Sequence, residues 1–561
     1  MKAKKLLALS LSAMMIGSVA LTTGCGGKER QGVSDDAGTI NIAWCVQGYG
    51  TGFVTEVADA FNTLYKDQGY KVNLLDPDPT LSGRTALSEM RLGTVTGVDI
   101  YMPDVVNVQD VLDEEYGVCV EDLNNLYDST YINFDGTEGT EPLKNLVNKS
   151  GKYLIMDQKQ ENYYGYGATL TTRGIVCNTK VLSGYGITEM PRTTDEFFEA
   201  YDAIYNGANG KGGTSETGIF PTTWGGDNAS TYAINSLYTN LAQMLGAEAY
   251  DEFFMMDSLL EEGKNLADGY QMYDNENIKD VLEVFIQQYD TAYSTPGSIG
   301  QDHHAAHAKI ITGKAAFMTD GEFFLNEVRA NFSQYLNNVT FINIPVMSKL
   351  GVNLKLDGSG QDAEKCDNIL SAIIKGVDEG KDNATIKSEV EAVFSVTLDE
   401  ETQIERIRDA RGIAYSDGVG WGWYITKGTQ KKEICELFFR MLASPDAAKI
   451  AAKYCMLSAY STLENSEYQW DFTKGAASIL KTFTYGATAS LVPGTLRQRT
   501  NLFLLPGYDA TIAAVIATEI GATADPANRD YAKLADTVYK KVKDNAQKNW
   551  ATYMSRAGYT L

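Results

Sequence analysis

Between Ile40 and Tyr101 the hydrophobic period switches back and forth between two and 3.6, and this alternation limits the fold more than any other feature. Ile40-Asn41-Ile42-Ala43-Trp44-Cys45-Val46 alternates and carries β-branched residues, the pattern of a strand. A Gly-rich loop, Gln47 to Gly52, follows it, and Val54, Val57, Phe61 and Leu64 then recur at helical spacing. Lys71 to Leu75 predicts a second strand, Glu89 to Gly97 the close of a second helix, and Val98 to Tyr101 a third strand. Strands and helices in this order predict a mostly parallel sheet covered by helices. Such sheets take ligands at the carboxyl ends of their strands.

The same alternation resumes near 163. Gly174-Ile175-Val176-Cys177 predicts a strand, and Pro191 to Glu196 opens a helix with Thr193 and Glu196 at capping-box spacing. Phe197, Tyr201 and Ile204 form its inward face, and Ile278, Val281, Leu282 and Phe285 make the stripe of a later helix. Residues 350–412 are polar, charged and weakly patterned, which predicts an insertion. Gly420 to Thr426 predicts a strand feeding a helix, and Ser444-Pro445 has N-cap and first-turn chemistry for the next one. The chain from 506 onward reads as largely helical.

The N-terminus carries the clearest signal of an expected compartment. Lys2, Lys4 and Lys5 precede an uncharged apolar run, Leu6 to Leu21, and small residues follow. That is the pattern of a secretory leader rather than a membrane span. Thr22-Thr23-Gly24-Cys25 resembles a bacterial lipobox, which makes Cys25 the expected lipidated first residue; Thr22 stands where a lipobox prefers leucine. Residues 1–24 are the expected leader, and 25–37 a polar, Gly-rich tether. No later apolar run is long enough to span a bilayer. The remaining chain of roughly 530 residues exceeds one hydrophobic core, so two or more lobes are expected. The formal charge of −25 becomes about −28 without the three leader lysines. A surface this acidic repels phosphate backbones, so nucleic acid is not an expected partner. Six cysteines remain after Cys25, with no C-x-x-C, and are expected as buried thiols.

All three histidines fall in "HHAAH", residues 303–307. His303 and His307 share a helix face, which is half of an H-E-x-x-H zinc motif, but His304 replaces the glutamate. A zinc site needs a third protein ligand, and no other histidine exists to supply it. The expectation is a solvated helix face with no metal and no cofactor.

Taken in order, several segments are similar to one family. The lipobox and the first strand lead to "GVDIYMPDVVNVQDVLDEEYGVCVEDLNNLYD". Next come "YYGYGATLTTRGIVCNTKVLSGYGITEMPRTTDEFFEAYDAI" and "ITGKAAFMTDGEFF". Last is "GVGWGWYITKGTQKKEICELFFRMLASPDAAKIAAKYCMLSAYST". This order resembles the extracellular solute-binding proteins of ABC transporters, in the branch that mostly binds sugars and oligosaccharides. It covers 38–465, apart from 350–412. The resemblance implies an α/β, two-lobed periplasmic-binding-protein-like fold, with a hinge between the lobes and a ligand cleft that closes. Crossings are implied near 165, 315 and 428. Lobe one would be 38–165 plus 316–428, and lobe two 166–315 plus 429–561. It further implies a monomer, not an enzyme, held by lipid at the extracytoplasmic face of a bacterial cell membrane, which passes its ligand to ABC permease subunits.

Sugars offer C–H faces to aromatic rings and hydroxyl rims to fixed polar groups. Candidates are therefore sought at strand ends and in loops. Trp44, Gln47 and Tyr49 lie at the end of the first strand, and Arg84 follows the second. Asp99, in "TGVDIY", is either a ligand acceptor or a structural cap. Tyr163, Tyr164 and Tyr166 sit at the first crossing, where one is expected to line the cleft and the others to pack the hinge. Trp224 and Asp227 belong to the Gly-rich stretch Thr222 to Asp227. Asp320 and Glu322 follow the strand in "MTDGEFF". Trp421 and Trp423, two apart on a predicted strand, share a face beside Gly418, Gly420 and Gly422. Two other readings stay open at this stage. One is a binding protein for a peptide or other polar solute. The other is a secreted glycoside hydrolase, with Asp99 and Asp320 as its carboxylate pair.

Overall fold

The computed structural model describes residues 30–46, 48, 50–104, 106, 108–112, 117–147, 155–157, 161–226, 232–255, 266–420, 422–454, 456–462, 490–491 and 526–556. Strand β1 (Thr39–Trp44) is buried along its whole length, as expected of an inner strand of a parallel sheet. Helix α1 (Gly52–Leu64) lays Phe53, Val54, Val57 and Phe61 against it. Strand β2 (Lys71–Leu74) pairs parallel on one edge of β1, from Thr39↔Lys71 to Ile42↔Leu74. Helix α2 (Gly83–Met90) leads on, and β3 (Ile100–Met102) pairs parallel on the other edge.

A second sheet is organised by β4 (Thr169–Asn178). After it come α3 (Thr194–Asn206), β5 (Phe220–Thr222), α4 (Ile234–Leu245), α5 (Glu276–Gln288) and α6 (His303–Ile311). Then follow β6 (Ala315–Gly321), α7 (Phe324–Phe332) and β7 (Val339–Ile342). Helices α8 (Ala363–Asp378) and α9 (Asn383–Phe394) precede β8 (Ala414–Gly420). Strand β4 is long enough for two partners on each edge. Strand β7 pairs Ile175–Asn178 and β8 pairs Thr169–Arg173, both antiparallel. On the opposite edge, β6 pairs Arg173–Cys177.

The chain then returns to the first sheet. Strand β9 (Tyr424–Ile425) pairs antiparallel to β3, and α10 (Lys432–Leu442) and α11 (Pro445–Lys453) pack on α1. Ser444 caps α11 by accepting from the Ala447 amide at 3.1 Å, with Pro445 in the first turn, as the sequence predicts. Strand β10 (Leu457–Ser458) goes back to β4, and helix α12 (Tyr531–Arg556) packs against α5. Two α/β lobes are therefore joined by three crossings, at 166–169, 420–424 and 454–457. Tyr166 and Trp423 exchange backbone hydrogen bonds of 2.8 and 2.7 Å where two of these run side by side.

This division differs from the expected one. Strand β6 does not cross at 315: it is buried throughout and lies between β4 and β5 in the second sheet. Residues 350–412 are helices of the second lobe, not an addition to the first. Cys366, Ile369, Leu370, Ile373, Ile386, Val390 and Ile407 bury with α4, α5 and α12 in one core. Helices α10 and α11 belong to the first lobe. Gly420 to Thr426 is not one strand but the end of β8 and then β9, in different sheets. Cys45, Cys119, Cys177, Cys366 and Cys435 are buried, and none forms a disulfide among the described residues. No helix among the described residues is long and apolar enough to cross a membrane.

Candidate functional site

Arg173 sits inside an apolar strand, opposite Gly321 of β6 and Tyr415 of β8. A buried guanidinium there needs local compensation. Its planar face lies 4.6 Å from the Phe323 ring centroid and 5.4 Å from that of Tyr232, a cation–π arrangement. Nη1 is 3.9 Å from Oε2 of Glu322, which is fully buried. The same oxygen accepts from the Thr172 amide at 2.7 Å and its hydroxyl at 3.3 Å. Gly321 makes this packing possible: a Cβ there would strike both the guanidinium and the Phe323 ring.

Helix α6 lies alongside, capped by Asp302, which accepts from the Ala305 amide at 2.7 Å. Its histidines do not form the solvated face expected from the sequence. His307 is buried, and the end of β6 and the first turns of α7 supply its partners. Its Nε2 is 2.6 Å from Asp320 Oδ2 and its Nδ1 3.3 Å from Glu327 Oε2, and the ring meets Phe324 edge-on at 4.9 Å. Burial alone would lower its pKa. The Asp320 charge and hydrogen bond, with the Glu327 charge, outweigh that and raise it, so the protonated ring is hydrogen-bonded to Asp320 and ion-paired with Glu327. Burial, reinforced by the Asp320 charge, pushes Glu327 up to about 7. His303 is half-buried, 6.1 Å from the Tyr232 ring, and His304 is exposed. Burial, and then the neighbouring His304 and His307, lower the His303 pKa.

The first lobe reaches this cluster through the loop after β1. Gly48 has φ +45°, and a Cβ on it would lie 3.2 Å from a Glu327 carboxylate oxygen and 3.4 Å from Phe323. On the far side, Gly225 packs against the backbone of His303, where a Cβ would approach to 2.8 Å. Arg173, Tyr232, Phe323, His303 and Glu327 thus gather where the two lobes touch, at the carboxyl end of β1.

The residues expected from sequence divide into three groups. The first is occupied by structural work. Trp44 is buried, and its indole donates to the Leu75 carbonyl at 2.6 Å. Asp99 is the cap: it accepts from the Asn41 amide (2.9 Å) and the Thr429 hydroxyl (2.6 Å), with Lys431 at 3.4 Å. Tyr166 is buried, stacks on Phe439 at 4.3 Å and donates to its carbonyl at 2.8 Å. Trp423 is buried between Phe438 and Phe439. Trp224 donates to the Ser294 hydroxyl at 3.0 Å and packs edge-on to Tyr289.

The second group comprises Asp320 and Glu322, which reach the cluster but face His307 and Arg173 rather than the cleft. The third comprises Arg84, exposed on α2, and Tyr164, half-buried against the first-lobe core. Gln47, Tyr49, Asp227, Trp421 and Cys25 lie outside the described residues. Sequence reasoning missed Arg173, Tyr232, Phe323 and Glu327. The available signal was a lone arginine in the apolar run "TLTTRGIVC". A separate hollow of about 340 Å³, lined by Met190, Arg192 and Glu196, opens on α3 and belongs to neither lobe contact nor cluster.

The class defined by this architecture is the two-lobed fold of extracellular solute-binding proteins. No protein-family model matches the sequence, and no curated protein sequence does. Solved structures do. A chitin oligosaccharide binding protein aligns at 15% identity over 91% of this chain and 99% of its own, with TM-score 0.52. A probable secreted solute-binding lipoprotein from Streptomyces coelicolor aligns at 14% over 90% and 100%, with TM-score 0.53. The bacterial solute receptor AcbH, described as having an exclusive preference for β-D-galactopyranose, aligns at 12% over 91% and 99%, with TM-score 0.52.

Proposed function

We propose that the protein is the lipid-anchored, substrate-binding component of an ABC importer. In this reading it captures a neutral oligosaccharide between its lobes and delivers it to permease subunits, without chemical turnover. The observation that carries the reading is the gathering of Tyr232, Phe323 and Arg173 at the point where the lobes meet. Rings there suit sugar C–H faces, and a guanidinium offers several donors to hydroxyls. The three adjacent crossings allow the lobes to swing together, so ligand that touches both shifts the population toward the closed form. Gln47, Tyr49, Arg84, Tyr164, Asp227 and Trp421 are proposed as further contacts around this centre. The anchor at Cys25 would hold the protein at the extracytoplasmic face of the membrane.

The charged groups Arg173 and Glu327 at the same point favour a peptide or other polar solute as the second reading. Titration calorimetry of the purified protein against xylo-, manno-, malto-, cello- and fructo-oligosaccharides, and against short peptides, separates the two. One-to-one binding of a single sugar series is expected. Peptide binding with no sugar heat would replace the first reading by the second. Hydrolysis products in the titration cell would remove both.

A further inference from the structure

The histidines raise a question that solute capture does not answer. All three in the chain lie within five residues of one helix at the lobe contact. His303, His304 and Glu327 each offer one ligand atom, and these three atoms lie within 4.8 Å of one another. In a tetrahedral zinc site, ligand atoms about 2.0–2.1 Å from the ion stand roughly 3.4 Å apart. His304, being exposed, has room to turn and close that difference.

Two buried atoms point the same way. His303 Nδ1 and Glu327 Oε2 are both buried without a hydrogen-bond partner among the described residues, Glu327 Oε2 having only its ion pair with His307. Buried polar atoms are normally satisfied, and an exception demands a cause. Behind them stands a ready support. His307 spans Asp320 and Glu327 at 2.6 and 3.3 Å and so holds the Glu327 carboxylate in place. Metal sites are commonly backed by hydrogen-bonded partners of this kind, which fix the ligands' orientation.

We propose that His303, His304 and Glu327 form a site for a zinc-class divalent cation. Two imidazoles and a carboxylate favour zinc, nickel or copper over magnesium and calcium, which prefer oxygen alone. Three protein ligands leave the fourth position open toward the lobe contact, where a water or a solute oxygen completes the shell. The expectation of a metal-free helix face rested on the lack of a third ligand; Glu327, brought in from α7, supplies it.

The test uses the metal alone, so its result does not depend on whether the solute is a sugar. Chelator-stripped protein is titrated with zinc sulfate by calorimetry, with magnesium in parallel. Cobalt(II) absorption reports the ligand type. The expected result is one equivalent of zinc, no magnesium heat, and a cobalt spectrum without thiolate charge transfer. The double variant His303→Ala/His304→Ala and the single variant Glu327→Gln should each weaken binding at least about tenfold. Glu327→Gln keeps shape and volume, so it remains readable if the double variant folds poorly. Absence of a saturable equivalent, or unchanged affinity in Glu327→Gln, overturns the proposal.

Discussion

Tyr166 and Arg173 sit seven residues apart on one crossing segment, and their surroundings are opposite. Around Tyr166 the rings of Phe439 and Tyr460 stack at 4.3 and 5.6 Å, Trp423 closes the side, and the Tyr166 hydroxyl is bonded to the Phe439 carbonyl. Around Arg173 the rings of Tyr232 and Phe323 flank a buried charge, and Glu327 nearby keeps an oxygen without a hydrogen bond. The first end is a core that joins the lobes. The second is a meeting of lobes that leaves polar capacity over. Aromatic richness near a crossing therefore does not by itself locate a binding site; residual polar capacity beside rings does.

The largest test of that contrast is Trp423→Ala. Trp423 is 2% exposed inside the crossing core, and deleting so large a ring should cost about 3–5 kcal/mol. A urea titration should show the loss as a lower midpoint at unchanged slope. A cost below about 1 kcal/mol would move Trp423 from hinge core to cleft and erase the distinction between the two ends.

A smaller effect tests whether an orphaned polar atom marks function or is only a cost. Asp367 Oδ1 is also buried without a hydrogen bond, but it lies between α3 and α8, where Asp367 Oδ2 accepts from the Thr193 hydroxyl at 3.0 Å. Burial raises its pKa from 3.8 to about 6, against hydrogen bonds from Ser348 and Thr193. For a raised carboxyl the folded state holds the proton more tightly. Stability should therefore fall as pH rises from about 4 to 6 and stay reduced above that window. At about 1.4 kcal/mol per pH unit, the cost at neutral pH is at most about 3 kcal/mol. Asp367→Asn should raise the melting temperature at pH 7.5 and leave it unchanged at pH 4, with solute binding intact. A loss of binding in this variant would give the α3–α8 contact a role in the cleft.

The same contrast explains what was legible in the sequence. The first sheet was readable because β1, α1, β2 and β3 each keep one clean period. The layer at 350–412 was not. Its stripe, Cys366, Ile369, Leu370, Ile373 and Ile374, has helical spacing but is hidden among lysines, aspartates and glycine turns that dominate the composition. The shared face assigned to Trp421 and Trp423 assumed one strand, whereas β8 ends at Gly420 and β9 begins at Tyr424. The site itself depends on Gly48, Arg173, His303 and Phe323 meeting across 275 positions of chain, from 48 to 323, and periodicity carries no such information. For Asp99 the family resemblance leaves ligand acceptor and structural cap both open, and the Asn41 amide within reach of its carboxylate decides for the cap.

At the Arg173 end, Phe323→Ala should lower solute affinity about tenfold, near 1.4 kcal/mol for one stacked ring. Calorimetry with the best sugar reads it directly. A change in melting temperature without a change in affinity would place Phe323 with the crossing core instead.

The smallest expected effect lies at the rim. Arg84 is exposed on the first turn of α2, and its side chain makes no hydrogen bond or ion pair among the described residues. Its carbonyl accepts from the Ser88 hydroxyl at 2.8 Å. Removing such a side chain should change stability by less than about 0.5 kcal/mol. Arg84→Ala therefore isolates binding from folding in a way that no variant of the buried cluster can. As an outer contact it should weaken the best sugar by about threefold or less, because a solvated hydrogen bond is worth about 0.5–1 kcal/mol. A loss of tenfold or more would shift the centre of the site from β1 and β4 toward the end of β2, and would make the first lobe, not the meeting of the lobes, the primary reader of the solute.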